Sequence, residues 1–157
     1  MVKVLEGRLR GEGRRIAIAA ARWNEFITER LLSGALDTLR RCGVADTDVT
    51  VVWVPGSFEL PTACNQLART GRYDAVIALG AVIRGATSHY ELVSGHCAAG
   101  LARIGLDTGV PTIFGVLTTE TIEQAIERAG SKAGNKGAEA AACALEMADL
   151  RTVIEAG

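Results

Sequence analysis

Two rhythms of apolar residues alternate along the chain. Nearly unbroken apolar runs, Arg15 to Ala21, Val49 to Val54, Tyr73 to Ile83 and Val110 to Leu117, have the length and β-branched content of buried strands. Between them the apolar positions recur every three to four residues. Ile27, Leu31, Ala35, Leu39 and Cys42 predict a helix over Asn24 to Cys42, ended by Gly43. A second helix is predicted over Leu60 to Arg69, closed by Thr70-Gly71, and a third over Ser88 to Asp107. Ser88 and Glu91 stand three apart, the spacing of a capping box, which places His89 in the first turn. From about Glu120 to Ile154 the chain reads as helical, interrupted near Gly134-Asn135.

Four strands joined by crossover helices predict an α/β fold, a four-stranded parallel sheet covered on both faces, with right-handed crossovers. Met1 to Arg14 is polar and glycine-rich without a helical period, and is either a flexible tail or an edge strand in need of a partner. No repeat or low-complexity segment divides the chain, so one domain over 1–157 is expected.

Composition narrows the class. Apolar residues make up 48% of the chain and charged residues 22%, a soluble globular balance. A net charge of −1 argues against a general nucleic-acid binder or an anionic-membrane binder, and does little to oppose self-association. Cys42, Cys64, Cys97 and Cys143 are scattered with no C-x-x-C, and a core of this size needs no disulfide framework, so reduced thiols in a cytoplasmic protein are expected. The apolar run after Arg14-Arg15 is too short for a signal peptide, and no run approaches a membrane span.

The candidate chemistry lies in the loops at the strand ends. The first strand runs into Arg22-Trp23-Asn24, the second into Val54-Pro55-Gly56-Ser57-Phe58-Glu59-Leu60-Pro61, the third into Arg84-Gly85-Ala86-Thr87-Ser88-His89. In an open parallel sheet all three loops share the rim where ligands bind. Two prolines and a glycine stiffen the second loop around an aromatic ring and a carboxylate, which suits a flat polar ring, though a plain strand-to-helix turn would look similar. Trp23 can stack on a heterocycle or simply cover the domain edge. Small residues ahead of a helix, with free amides, form a ready anion site. His89 beside it is either a general acid/base or a solvated helix-start histidine. His96, two helical turns further, is too distant to share a metal with it, and no cysteine pair completes a site, so no metal centre is expected. Arg128, Lys132 and Lys136 are spaced by four and would form one basic stripe on a continuous helix, either a solvated face or an anion clamp with Arg128 as its best member. There is no P-loop and no dinucleotide fingerprint.

These loops, together with Gly80 to Glu91 and the stretch from Thr118-Thr119-Glu120 through Ala129 to Gly137, resemble lumazine synthases over nearly the whole chain. The resemblance implies a flavodoxin-like three-layer αβα sandwich, whose N-terminal segment adds an edge strand to a neighbouring subunit. It implies condensation of 5-amino-6-(D-ribitylamino)uracil with 3,4-dihydroxy-2-butanone 4-phosphate to 6,7-dimethyl-8-ribityllumazine, the penultimate step of riboflavin biosynthesis. Phosphate and water are released, and no cofactor is implied. Similar proteins are homopentamers, some closing as twelve pentamers into sixty-subunit shells, with each site between two subunits. Association with riboflavin synthase is left open.

Carried over position by position, the resemblance has Trp23 stacking on the pyrimidine and Ser57, Phe58 and Glu59 binding the uracil and ribityl chain. Ala81, Val82 and Ile83 meet the pyrimidine edge through backbone, and the Ala86 and Thr87 amides hold the butanone phosphate. His89 moves protons. Phe114 and Arg128 come from the neighbouring subunit, Phe114 against the ring and Arg128 on phosphate, with Lys136 a further basic position. Trp23 stands where Phe is frequent, Ala81 where Thr or Cys is usual, and Ser94-Gly95-His96 where relatives often end Asn-Glu. Two rival readings share the fold: a non-enzymatic flavin or lumazine binder, against which His89 with a phosphate loop argues, and a shell protein with a vestigial site.

Overall fold

At the centre of the sheet lies a strand made almost wholly of alanine and isoleucine. The computed structural model describes residues 1–157, and in it β1 (Ile16–Ala21) is buried at every position. Side chains this small, in an extended run bounded by Arg15 and Arg22, suit a strand covered on both faces. Around it the chain forms α1 (Glu25–Arg41), β2 (Val49–Val54), α2 (Leu60–Arg69), β3 (Ala75–Ile83), α3 (His89–Thr108) and β4 (Thr112–Thr119). Next come α4 (Ile122–Glu127), a hairpin of β5 (Ala129–Ser131) and β6 (Gly134–Asn135), and α5 (Lys136–Ala156). The four long strands pair in parallel in the order β2-β1-β3-β4. No helix is long and apolar enough to cross a membrane.

The sheet divides the core in two. Ile16, Ile18, Ile77 and Leu79 face α1 and α5, where Leu31, Leu39 and Leu145 are fully buried or nearly so. Ala17, Ala19, Val76 and Ala78 face α2 and α3, meeting Leu60, Cys64, Cys97 and Leu101. This is the expected three-layer α/β sandwich. Burial pushes the Cys64 thiol up to about 12 and the Cys97 thiol to about 11, so both stay protonated at neutral pH. Helices α1 and α5 touch backbone to backbone at Gly137, where an added Cβ would collide with the Leu31 carbonyl.

The strand and helix boundaries track the apolar pattern closely, with three departures. β4 begins at Thr112, because Pro111 has no N–H to give the ladder, and it extends through Thr118-Thr119 beside Val82 and Ile83. The interruption expected near Gly134-Asn135 is present but begins earlier, after Glu127, and is a hairpin between two helices, where Gly130 (φ 112°) and Gly134 (φ 80°) take left-handed backbone. α5 then starts afresh at Lys136, capped by Asn135, whose side chain accepts from the Ala138 amide and donates to the Arg30 carbonyl. Consequently Arg128, Lys132 and Lys136 do not form one stripe, since α4 stops at Glu127.

Within the chain, residues 1–14 form neither a strand nor a free tail. They run along α5, with the Arg8 amide donating to Asp149 Oδ2 at 2.8 Å and Arg14 contacting both Asp149 and Asp74. The Arg8 amide, seconded by Arg14, holds the Asp149 carboxyl below the usual carboxylate range. A group whose pKa is depressed by folding adds stability above its unfolded pKa and loses it as the pH falls through the folded value. Acid should therefore release this segment ahead of the rest. We expect protection of the Arg8 amide against hydrogen exchange, corrected for intrinsic rate, to fall as the pH drops from about 5 to about 2. Asp149→Asn should flatten that dependence; equal protection at both pH values in the unmodified protein would contradict it.

Candidate active site

Three loops meet beyond the C-terminal ends of β1 and β3, where the strand order reverses, the place such sheets bind ligands. Backbone stitching holds them together. The Arg22 amide donates to the Val54 carbonyl and the Trp23 amide to the Pro55 carbonyl, tying the loop after β1 to the loop after β2. Asn24 ties the first loop to β3 through its side-chain amide, 2.8 Å from the Ala81 carbonyl. It sits in left-handed backbone (φ 64°), alone in this among the non-glycine residues.

After β2, Ser57–Glu59 form one 3-10 turn that leads into α2. Ser57 is buried, while Phe58 and Glu59 are exposed. Gly56 does not supply the unusual φ that its place in the loop suggests: its backbone is extended (φ −153°), which any residue adopts. Its contribution is room, since a Cβ there would lie 3.3 Å from Glu59 Oε2.

The loop after β3 is anchored by Arg84. Its amide donates to the Thr119 carbonyl, and its guanidinium pairs with Glu91 and, at 2.8 Å, with Glu120, over the Tyr90 ring. The Arg84 hydrogen bond holds the Glu91 carboxyl below its ordinary range. Glu91 is thus committed to Arg84 and the expected capping box does not form; Ser88 makes no side-chain cap. Instead Thr87 Oγ1 accepts a long 3.4 Å bond from the His89 amide. The amides of Gly85, Ala86 and Thr87 donate to no backbone carbonyl and face solvent on an exposed loop.

The result is a cleft of about 630 Å³. Of the residues singled out from sequence, it gathers Trp23, Ser57, Phe58, Glu59, Ala81, Val82, Ile83 and His89. Trp23 is 75% exposed, an uncovered ring at the rim. His89 is the first residue of α3. Ala86 and Thr87 adjoin the cleft in the loop just before it. Asn24, Leu92 and Val93 also line it, and sequence reasoning gives them no role. The helical spacing of Leu92 and Val93 from His89 is the signal that could have found the last two.

Phe114, Arg128 and Lys136 lie elsewhere. Phe114 is half exposed on the outer strand β4, opposite Ala78, well below the rim. Arg128 caps α4 with its guanidinium near Gln124 and Glu127, and the Lys136 amide donates to its carbonyl at 2.8 Å. The cleft lining therefore contains no lysine or arginine at all. A second groove, of about 510 Å³ and mainly apolar, lies at the other end of the sheet between α3, β4 and α5, around Leu106, Met147 and Ile154.

A family model described as 6,7-dimethyl-8-ribityllumazine synthase matches residues 13–152 of the chain. The 6,7-dimethyl-8-ribityllumazine synthase of Edwardsiella ictaluri (strain 93-146) is 58% identical over 156 residues, covering 99% of this chain and 100% of that protein.

Proposed function

The chain belongs to the 6,7-dimethyl-8-ribityllumazine synthase family, and from that premise we propose that its cleft is half of an active site whose other half comes from a second copy. The protein is a transferase that condenses 5-amino-6-(D-ribitylamino)uracil with 3,4-dihydroxy-2-butanone 4-phosphate, in riboflavin biosynthesis. In our reading Trp23 stacks on the pyrimidine, and Ser57, Phe58 and Glu59 take the uracil and ribityl chain, with Glu59 accepting from ribityl hydroxyls. The backbone of Ala81, Val82 and Ile83 meets the pyrimidine edge. The amides of Ala86 and Thr87 hold the butanone phosphate.

One observation carries the second half. The phosphate end of the cleft offers amides but no cation, because Arg84 is spent on Glu91 and Glu120. A dianionic phosphate in a site without a fixed positive charge is poorly held. Arg128 of a neighbouring copy, with Lys136 beside it, supplies that charge, and Phe114 of the same copy closes over the ring. The open edge of β2 and the exposed Met1–Glu6 suggest the accompanying contact, a strand donated by the neighbour. We take the assembly to be a homopentamer, as the family resemblance implies, with a sixty-subunit shell of twelve pentamers and association with riboflavin synthase as further steps.

The chemistry needs little beyond placement. The 5-amino group of the uracil attacks the ketone, and water leaves to give an imine. A proton is then removed from carbon as the C–O bond to phosphate breaks. The resulting enol tautomerises, and the ribitylamino nitrogen closes the ring with loss of a second water. Holding the two reactants together supplies most of the acceleration. His89, next to the leaving phosphate, moves the protons.

Subunit mixing tests the shared site. Arg128→Ala alone should raise KM for the butanone phosphate roughly tenfold to hundredfold. Trp23→Ala alone should weaken the uracil substrate instead. Co-refolded at equal ratio, the two weak variants should regain activity, because about one interface in four then pairs an intact Trp23 with an intact Arg128. No gain in particles shown by native mass spectrometry to be mixed would mean that the site lies within one chain.

A further inference from the structure

His96 has no part in the scheme of substrate contacts, yet its ring stacks on Phe58, with centroids 4.1 Å apart and planes at 25°. His89, Leu92, Val93 and His96 fall on one stripe of α3, at spacings of three, four and seven residues. The 3-10 turn Ser57–Glu59 rests on that stripe. Phe58 lines the cleft, whereas His96 lines a separate groove of about 330 Å³ between α2 and α3. The stacked pair is thus the partition between two hollows.

We propose that His96 is a positioning residue for the ring-binding pocket, fixing Phe58 as a wall against which the planar substrate docks. This rests on the reading of Phe58 as a contact for the ribitylaminouracil. Phe58 is 52% exposed and comes shortly after a glycine in extended backbone, so little else restrains its side chain. An aromatic ring free to leave the pocket wall must be ordered each time the substrate binds. A plate beneath it, itself on the rigid helix that carries His89, sets that order in advance. The two ends of the reaction are then aligned from one helix: the proton-transfer group at its first residue and the plate that fixes the ring wall two turns later.

Kinetics of the assembled enzyme with both substrates varied provide the test. His96→Ala and His96→Asn should each raise KM for the ribitylaminouracil about threefold to tenfold, the range expected for one aromatic pair. KM for the butanone phosphate and kcat should stay as they are. His96→Phe, which keeps a plate, should restore the ribitylaminouracil KM to within about twofold. In a Phe58→Ala background, His96→Ala should add nothing further, because its effect passes through Phe58. If both KM values rise together, if neither truncation moves the first, or if the effect persists in the Phe58→Ala background, the proposal is wrong. A Phe58→Ala enzyme with an unchanged ribitylaminouracil KM would overturn the pocket reading and this inference with it. A raised value there, with His96 variants unaffected, overturns this inference alone.

Discussion

Replacing His89 with alanine is expected to lower kcat about a hundredfold, with KM for either substrate moving less than about threefold. His89 opens α3, lines the cleft, and comes directly after the loop whose amides have no backbone acceptor and which we propose as the phosphate site. In the proposed scheme it moves protons and makes no stacking contact with the uracil, so its loss should not weaken that substrate. Elimination of phosphate needs a proton taken from carbon and another given to oxygen as the bond breaks. A positioned imidazole can do both near neutral pH. Removal of a group that acts only in the transition state lowers kcat and kcat/KM together. Single-turnover mixing with both substrates saturating measures this directly. A rate within about threefold of the unmodified enzyme would leave placement alone as the source of catalysis.

The second large effect is on folding. Gly137→Ala should destabilise the chain by about 3 kcal/mol, despite alanine's better helix propensity of about 1 kcal/mol. The added methyl has no free volume to enter, because it points at the Leu31 carbonyl, which is backbone and cannot swing aside. α1 and α5 would have to part, opening the layer that holds Leu31, Ala141 and Leu145. Urea unfolding of the variant and the unmodified protein should separate their midpoints accordingly. Coincident midpoints would show that α1 can retreat at no cost.

Whatever burial dictates is legible in the amino-acid sequence alone. β1, β2, β3 and the first three helices are specified by apolar spacing, and the rim loops are located by where those strands end. The loops in turn hold Trp23, Ser57, Phe58, Glu59 and His89 of the cleft, whereas Ala81, Val82 and Ile83, within β3, are singled out only by the family resemblance. The features that escape depend on competition between distant partners. Glu91 has the spacing to cap α3, but a charge-assisted bond to Arg84 is the stronger alternative, and nothing local reveals that Arg84 will reach it. The stripe of Arg128, Lys132 and Lys136 fails because two glycines between them adopt left-handed backbone, which spacing alone does not register. Asn24 looks like an ordinary helix start; its side chain instead bridges to Ala81, a contact made across fifty-seven residues of sequence.

The alanines of β1 make the molecule's axis robust in one direction only. Ala17, Ala19, Ala20 and Ala21 are fully buried and end at Cβ. The usual injury to a protein interior is truncation, which leaves a void; here almost nothing remains to truncate. Nearly every replacement must instead enlarge the residue and wedge a helix away from the sheet. The central strand thus acts as a spacer of fixed thickness, and that thickness holds the rim loops in register.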